Sequence, residues 1–368
     1  MKCKWIEGKL KEIMSLNLYR KTETIGSVAR KMGLKPSEIL KLNANENFFI
    51  PKEEITKLLL ETVGEIDPRI YPQDEKEEFR EALAKYLGVS PECILVDNGS
   101  DQLMWLIAQT FLERESEALS VKPTFSMYEH VVNSRGATFT QIPLKDDFSL
   151  DVDSILASAK PNTRLLFLCS PNNPTANQFK LEDVLHLVEE FRGLVVVDEA
   201  YADFAEYSLV NLAEKYENLI ILRTFSKFFG LAGLRLGYTV SNMEIAEALS
   251  GLQLPYTNTS LTLKIGLKIL ENIKIVENAL MELKRERKLL LDRLNSLEGV
   301  KAFNSQTNFI LFQTRRDSDK VFQRILKQGV LIRKIGKVLK FDNCLRTTVG
   351  LRWMNDKLIE ALECALVE

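Results

Sequence analysis

The stretch Thr224-Phe-Ser-Lys-Phe-Phe-Gly-Leu-Ala-Gly-Leu-Arg235 decides how the rest of the 368-residue chain is read. Its lysine, Lys227, lies between Ser226 and Phe228-Phe229, shortly after the apolar run Leu219-Ile-Ile-Leu222. Such a run reads as a buried strand, and here it delivers an amine into an aromatic, glycine-rich turn. Removal from water lowers an amine's pKa and suits it to Schiff-base chemistry. Gly230 and Gly233 would let the backbone approach a bulky ligand. Ser226 and Arg235 can grip an anion beside the lysine, the arginine as a planar fork. An ordinary strand-to-loop junction would fit the same residues, and the stretch by itself leaves both readings open.

Two stretches upstream narrow the choice. In Gly193-Leu-Val-Val-Val-Asp198-Glu-Ala-Tyr201 a continuous apolar run ends in an aspartate, with a tyrosine three residues on. In Leu165-Leu-Phe-Leu-Cys-Ser170-Pro-Asn-Asn173-Pro-Thr175 a second apolar run enters a rigid Asn-Pro turn. Ligands of open α/β sheets bind at the carboxyl ends of such strands. Asp198 would then face a protonated ring nitrogen and Tyr201 a ring oxygen, whereas a capping aspartate is the plainer alternative.

The Asn-Asn-Pro-Thr turn, the Asp-Glu-Ala-Tyr strand end and the Ser-Lys-x-x-Gly-x-x-Gly-x-Arg segment together resemble the fold-type I aminotransferases that use pyridoxal phosphate. Further stretches resemble the histidinol-phosphate aminotransferase family within that class, and they span nearly the whole chain. These are Leu42-Asn-Ala-Asn45-Glu-Asn47, Tyr71-Pro72, Asn98-Gly-Ser100-Asp101 and Leu345-Arg346-Thr-Thr-Val-Gly350. The resemblance implies an α/β fold, with a large domain built on a mostly parallel central sheet flanked by helices and a smaller α+β domain. The expected division is an arm over residues 1–42, a cofactor-binding domain over 43–262 and a small domain over 263–368.

The resemblance also assigns roles. Lys227 would carry the cofactor as a Schiff base, with Asp198 and Tyr201 completing the catalytic set. Ser100, Asp101, Ser226 and Arg235 would surround the phosphate, Asp101 through its backbone amide. A strand–glycine-turn–helix sequence at 93–112 places free N–H groups there. Phe125 would stack on the ring, Asn173 would bond the ring oxygen beside Tyr201, and Tyr71 would reach the neighbouring subunit's cofactor in a homodimer. Arg346, Arg333, Asn45 and Tyr19 would meet the substrates, histidinol phosphate and the glutamate/2-oxoglutarate pair. Ser100 and Asp101 would equally serve as helix N-caps, and Tyr128 reads as a core group or one step removed from the ligand.

Composition excludes other classes. A net charge of −2, with 45% hydrophobic and 27% charged residues, gives no electrostatic case for nucleic acid or an anionic membrane. Five scattered cysteines without a CxxC spacing point away from a disulfide framework or zinc site. Two histidines make a His-based metal hydrolase or triad unattractive, and His186 sits in an amphipathic helical pattern. No signal-peptide pattern opens the chain and no apolar run approaches the ~20 residues of a membrane span, so a cytoplasmic location is expected.

Three departures from the family pattern stand out: no Tyr-x-Pro around Tyr19, Phe48 where proline is usual, and Ala176 where the Asn-Pro turn usually closes on glycine. If that glycine takes positive φ, an alanine in its place leaves the turn mildly strained or reshaped. Three rivals stay open: an aromatic amino-acid aminotransferase, a threonine-phosphate decarboxylase and a catalytically silent relative. The third predicts a lost lysine, aspartate or ring tyrosine, and this chain keeps Lys227, Asp198 and Tyr201.

Overall fold

A computed structural model of the chain describes residues 4–15 and 24–367. Tyr19 lies outside the described residues. The strands, in chain order, are β1 (Leu40–Lys41), β2 (Ile94–Asp97), β3 (Glu117–Lys122), β4 (Thr138–Pro143), β5 (Thr163–Cys169), β6 (Leu194–Asp198) and β7 (Leu219–Thr224). They continue with β8 (Gly237–Val240), β9 (Val300–Ala302), β10 (Phe309–Thr314), β11 (Val330–Leu331), β12 (Arg333–Val338) and β13 (Phe341–Thr348).

Seven of them form one sheet in the order β2-β8-β7-β6-β5-β3-β4. Only β8 runs against the rest; β7, β6, β5, β3 and β4 pair in parallel. The central strands are apolar through their middles because helices leave neither face to water; β7 is buried at all six positions, Arg223 and Thr224 included. Each buried Leu, Ile or Val there stabilises the fold by ~1.5–3 kcal/mol relative to exposure. Parallel pairing puts the carboxyl ends of β3, β5, β6 and β7 on one edge of the sheet. The turns that leave this edge begin at Pro123, Ser170, Glu199 and Phe225.

A second, antiparallel sheet has the order β12-β13-β10-β9. Short β1 pairs in parallel with β11, Leu40 opposite Val330, in a separate two-stranded sheet, and so holds the chain before the site beside the segment that leads into β12. The polar strip from Asn43 therefore follows directly on a strand. The apolar-periodic stretch over 261–297 forms two helices, Ser260–Glu271 and Ile273–Ser296, broken at Asn272, where ψ is +33°. Asparagine competes for backbone hydrogen bonds in this way, and its amide takes the Lys268 carbonyl at 2.8 Å.

Candidate active site

A cavity of about 530 Å³ opens between the carboxyl edge of the large sheet and the second sheet. Its wall includes twelve residues expected from sequence: Asn45, Ser100, Asp101, Phe125, Asn173, Asp198, Tyr201, Ser226, Lys227, Arg235, Arg333 and Arg346. Tyr71 is not among them; it is exposed and stacks on Tyr256 with centroids 4.5 Å apart.

Lys227 follows β7 by three residues, and its Nζ donates to the Ala44 carbonyl at 2.9 Å. Burial, then the Arg346 charge, pulls its pKa down to about 8. Asp198 ends β6, opposite Cys169 at the end of β5, and is 3% exposed. Tyr128 donates to its Oδ2 at 2.7 Å and the Ala200 N–H to its Oδ1 at 3.1 Å. Burial nevertheless pushes the carboxyl up to about 6, against those two hydrogen bonds. No cation forms an ion pair with Asp198 among the described residues, so a ligand bringing an N–H or a positive charge would stabilise its ionised form.

Tyr201 accepts a hydrogen bond from Asn45 Nδ2 at 2.9 Å, which leaves its own O–H to donate. Asn173 gives its Oδ1 to Arg346 Nη1 at 2.5 Å, leaving its amide N–H groups for a ligand oxygen. Both side chains thus keep a donor uncommitted on the cavity wall. Phe125 is half-buried on the wall and meets Tyr128 edge-on at 5.8 Å.

Three phosphate-side expectations change in detail. Gly99 is the N-cap of helix Ser100–Phe111 at φ +82°, so neither Ser100 nor Asp101 caps it. A Cβ on Gly99 would sit 2.6 Å from Arg235 Nη2, so glycine keeps the space the guanidinium occupies. The Asp101 carboxylate pairs with Arg235 at 3.1 Å, while Arg235 Nη1 faces Ser226 Oγ at 3.4 Å. Ser226 is further fixed by Thr224 Oγ1 at 3.0 Å, a wall residue the sequence did not single out. Gly230 is required by packing, since a Cβ there would strike Ile50 at 2.9 Å, while Gly233 faces open space.

Asn45 sits in left-handed backbone (φ +54°) with its N–H on Thr348 Oγ1 and its carbonyl on Asn308 Nδ2. Its side chain positions Tyr201 as well as lining the cavity, which broadens the expected substrate role. Arg346 lies within β13, not at its end, and is bound by Asn173 Oδ1 and the Asn43 carbonyl. Arg333 opens β12 directly opposite Arg346, so two guanidinium groups share one register position. Ala176 takes φ +66°, so of the two outcomes open to the turn it is the strained one that occurs, and Phe48 packs against the core.

The donor set fits one kind of occupant: a flat ring with a basic nitrogen toward Asp198, an oxygen toward Tyr201 and Asn173, and a phosphate toward Ser100, Ser226 and Arg235.

The comparisons agree with this geometry. The family described as aminotransferase class I and II matches residues 37–362. A histidinol-phosphate aminotransferase from a Thermoanaerobacter species is 39% identical, covering 88% of this chain and 92% of that one. Among solved structures, the histidinol-phosphate aminotransferase from Sinorhizobium meliloti in complex with pyridoxal-5'-phosphate aligns with a TM-score of 0.87 at 24% identity, over 96% of both chains. The L-threonine-O-3-phosphate decarboxylase from Porphyromonas gingivalis aligns with a TM-score of 0.78 at 25% identity, over 90% of this chain and 100% of that one.

Proposed function

The chain belongs to the class I and II aminotransferases, and from that membership we propose that it moves the amino group of histidinol phosphate to 2-oxoglutarate, forming imidazole acetol phosphate and glutamate. The observation that carries the reading is one cavity joining an amine of lowered pKa, a buried carboxylate and two facing arginines. Pyridoxal phosphate, when bound, supplies an aldehyde for amine exchange and a protonated ring that draws electrons from the substrate's Cα. Lys227 would hold it covalently, Asp198 would face its ring nitrogen, Tyr201 and Asn173 its ring oxygen, and Ser100, the Asp101 amide, Ser226 and Arg235 its phosphate.

The chain's own contributions follow from position. With a pKa near 8, Lys227 Nζ is partly neutral at physiological pH and is suited to take the Cα proton and return it. Arg346, fixed at both ends of its fork, and Arg333 opposite it present donors to a phosphate or carboxylate. The same pair serves the phosphate of one substrate and the carboxylates of the other, so the two half-reactions alternate in one site. Phe125, on the cavity wall, would cover one face of that ring and limit water there.

The assembly reading is a homodimer in which exposed Tyr71 enters the neighbouring site, with an arm at 1–42 and domains at 43–262 and 263–368. No helix among the described residues is long and apolar enough to cross a membrane, and a cytoplasmic location suits a biosynthetic enzyme. Assay of purified protein with histidinol phosphate and phenylalanine side by side, each against 2-oxoglutarate, tests the substrate. A preference for histidinol phosphate is expected. A strong preference for phenylalanine would make the chain an aromatic aminotransferase instead.

A further inference from the structure

Tyr128 is wholly buried, in the first turn of helix Met127–Ser134, and its hydroxyl meets a charged group 70 residues away. Its ring lies flat on Phe167 of β5, with centroids 5.0 Å apart and planes 7° from parallel. Its edge meets Phe125, the aromatic on the cavity wall, at 5.8 Å and 89°. The O–H donates to Asp198 Oδ2 at 2.7 Å, the shorter of the two hydrogen bonds that the carboxylate receives. One rigid side chain therefore touches both groups expected to contact a ring: the carboxylate at its nitrogen and the aromatic on its face.

We propose that Tyr128 is a positioning residue for the transamination chemistry, its hydroxyl holding Asp198 ionised and aimed into the cavity while its ring sets the plane of Phe125. A tyrosine in a packed core commonly bonds any convenient acceptor, often a backbone carbonyl. Here the acceptor is the one buried carboxylate of the cavity floor, where a neutral acid would not sustain a protonated ring nitrogen. The groups around Asp198 are few. The Ala200 N–H also donates to it, the buried Cys169 thiol lies opposite in the register, and Asp101 and Lys227 act at longer range with opposite signs. Loss of the hydroxyl leaves the carboxylate with a single hydrogen-bond donor in a site shut off from water. Its neutral form then gains, so its titration moves to higher pH.

The inference rests on the aminotransferase reading for its purpose, but its deciding measurement, a titration of the ligand-free chain, needs no substrate. In the full-length chain, freed of ligand and then reloaded with pyridoxal phosphate, the infrared carbonyl band of a protonated buried carboxyl is followed against pH. The band is assigned by its loss in Asp198→Asn. Tyr128→Phe, which removes one oxygen and keeps the ring stacks, should raise the ligand-free midpoint by on the order of one pH unit, the scale of one hydrogen bond to a charged group. In the loaded enzyme the acid limb of kcat should move the same way with KM little changed. Phe167→Leu, which loosens the ring and keeps the hydroxyl, should leave the midpoint near its original value. An unmoved midpoint in Tyr128→Phe would overturn the proposal, as would an equal shift in Phe167→Leu. If the unsubstituted chain failed to transaminate histidinol phosphate, the functional reading would fall while this titration still decided the role of Tyr128.

Discussion

The floor of the cavity and its outer wall are built on opposite plans. The floor groups, Asp198, Tyr201, Asn173 and Lys227, all leave the same edge of one mostly parallel sheet, and their hydrogen bonds are made away from bulk water. The outer wall comes from β12, where Arg333 is half-buried while Lys334 and Lys337 are exposed and paired with Asp319 and Asp342. A charge on the floor is decided by burial, since little else screens it. A charge on the wall is decided by salt and by mobile partners. On the proposed reading the floor sets the chemistry, and the wall chiefly attracts and orients anions. Arg346 stands between the two: it belongs to the second sheet yet is buried and bonded to Asn173 of the first.

That intermediate position is the first place to break the comparison. Arg346→Lys keeps the charge and loses the fork, so kcat/KM for both substrates should fall about 100-fold, the scale of two lost charge-assisted hydrogen bonds. Arg333→Lys should cost only about tenfold and respond to added salt, because its surroundings are wetter. Equal losses in steady-state kinetics would erase the distinction between floor and wall.

The next prediction concerns the floor alone. The Asp198 carboxyl has a folded pKa raised to about 6 from 3.8, so the folded state binds the proton more tightly than the unfolded chain. Stability from this group is fully present below about pH 4 and is lost as pH rises through 6. Asp198→Asn, which cannot ionise, should therefore stabilise the cofactor-free chain at pH 8 by about 3 kcal/mol and change little at pH 4. Urea titrations at the two pH values check this. A destabilised variant at pH 8 would mean that the floor already satisfies its charge without a ligand.

The sequence made this floor readable for a physical reason. Buried parallel strands appear as continuous apolar runs, and the residue that ends each run stands at the ligand-binding edge, so Asp198 and the turns after Cys169 and Thr224 could be placed without coordinates. Tyr128 could not be recruited in the same way. Its hydroxyl finds Asp198 across 70 residues, and nothing in Phe125-Ser-Met-Tyr128 reveals that the ring turns inward. The facing of Arg333 and Arg346 depends on strand register, and the bonds of Arg346 span 173 and 303 residues. The break at Asn272 was hidden because apolar residues continue at helical spacing on both sides. The role of Tyr71 lies, on the proposed reading, in a neighbouring subunit.

Ala176 gives the smallest effect. At φ +66° an alanine is strained where glycine is not, and its carbonyl and N–H are both engaged, by Gln306 and Asn172. Ala176→Gly should relieve the strain against the entropy that glycine adds to the unfolded chain, a net gain of about 0.5–1 kcal/mol. Urea unfolding should show it, with kcat unchanged. A loss of stability would mean that the burial of the methyl group outweighs the backbone term.

The most direct test of the account is chemical. Purified protein loaded with pyridoxal phosphate is reduced with borohydride, digested and mapped by mass spectrometry. The account predicts a single pyridoxyl-modified peptide bearing the adduct on Lys227, absent from Lys227→Ala. An adduct on another lysine, or none in a protein that still transaminates, would contradict it.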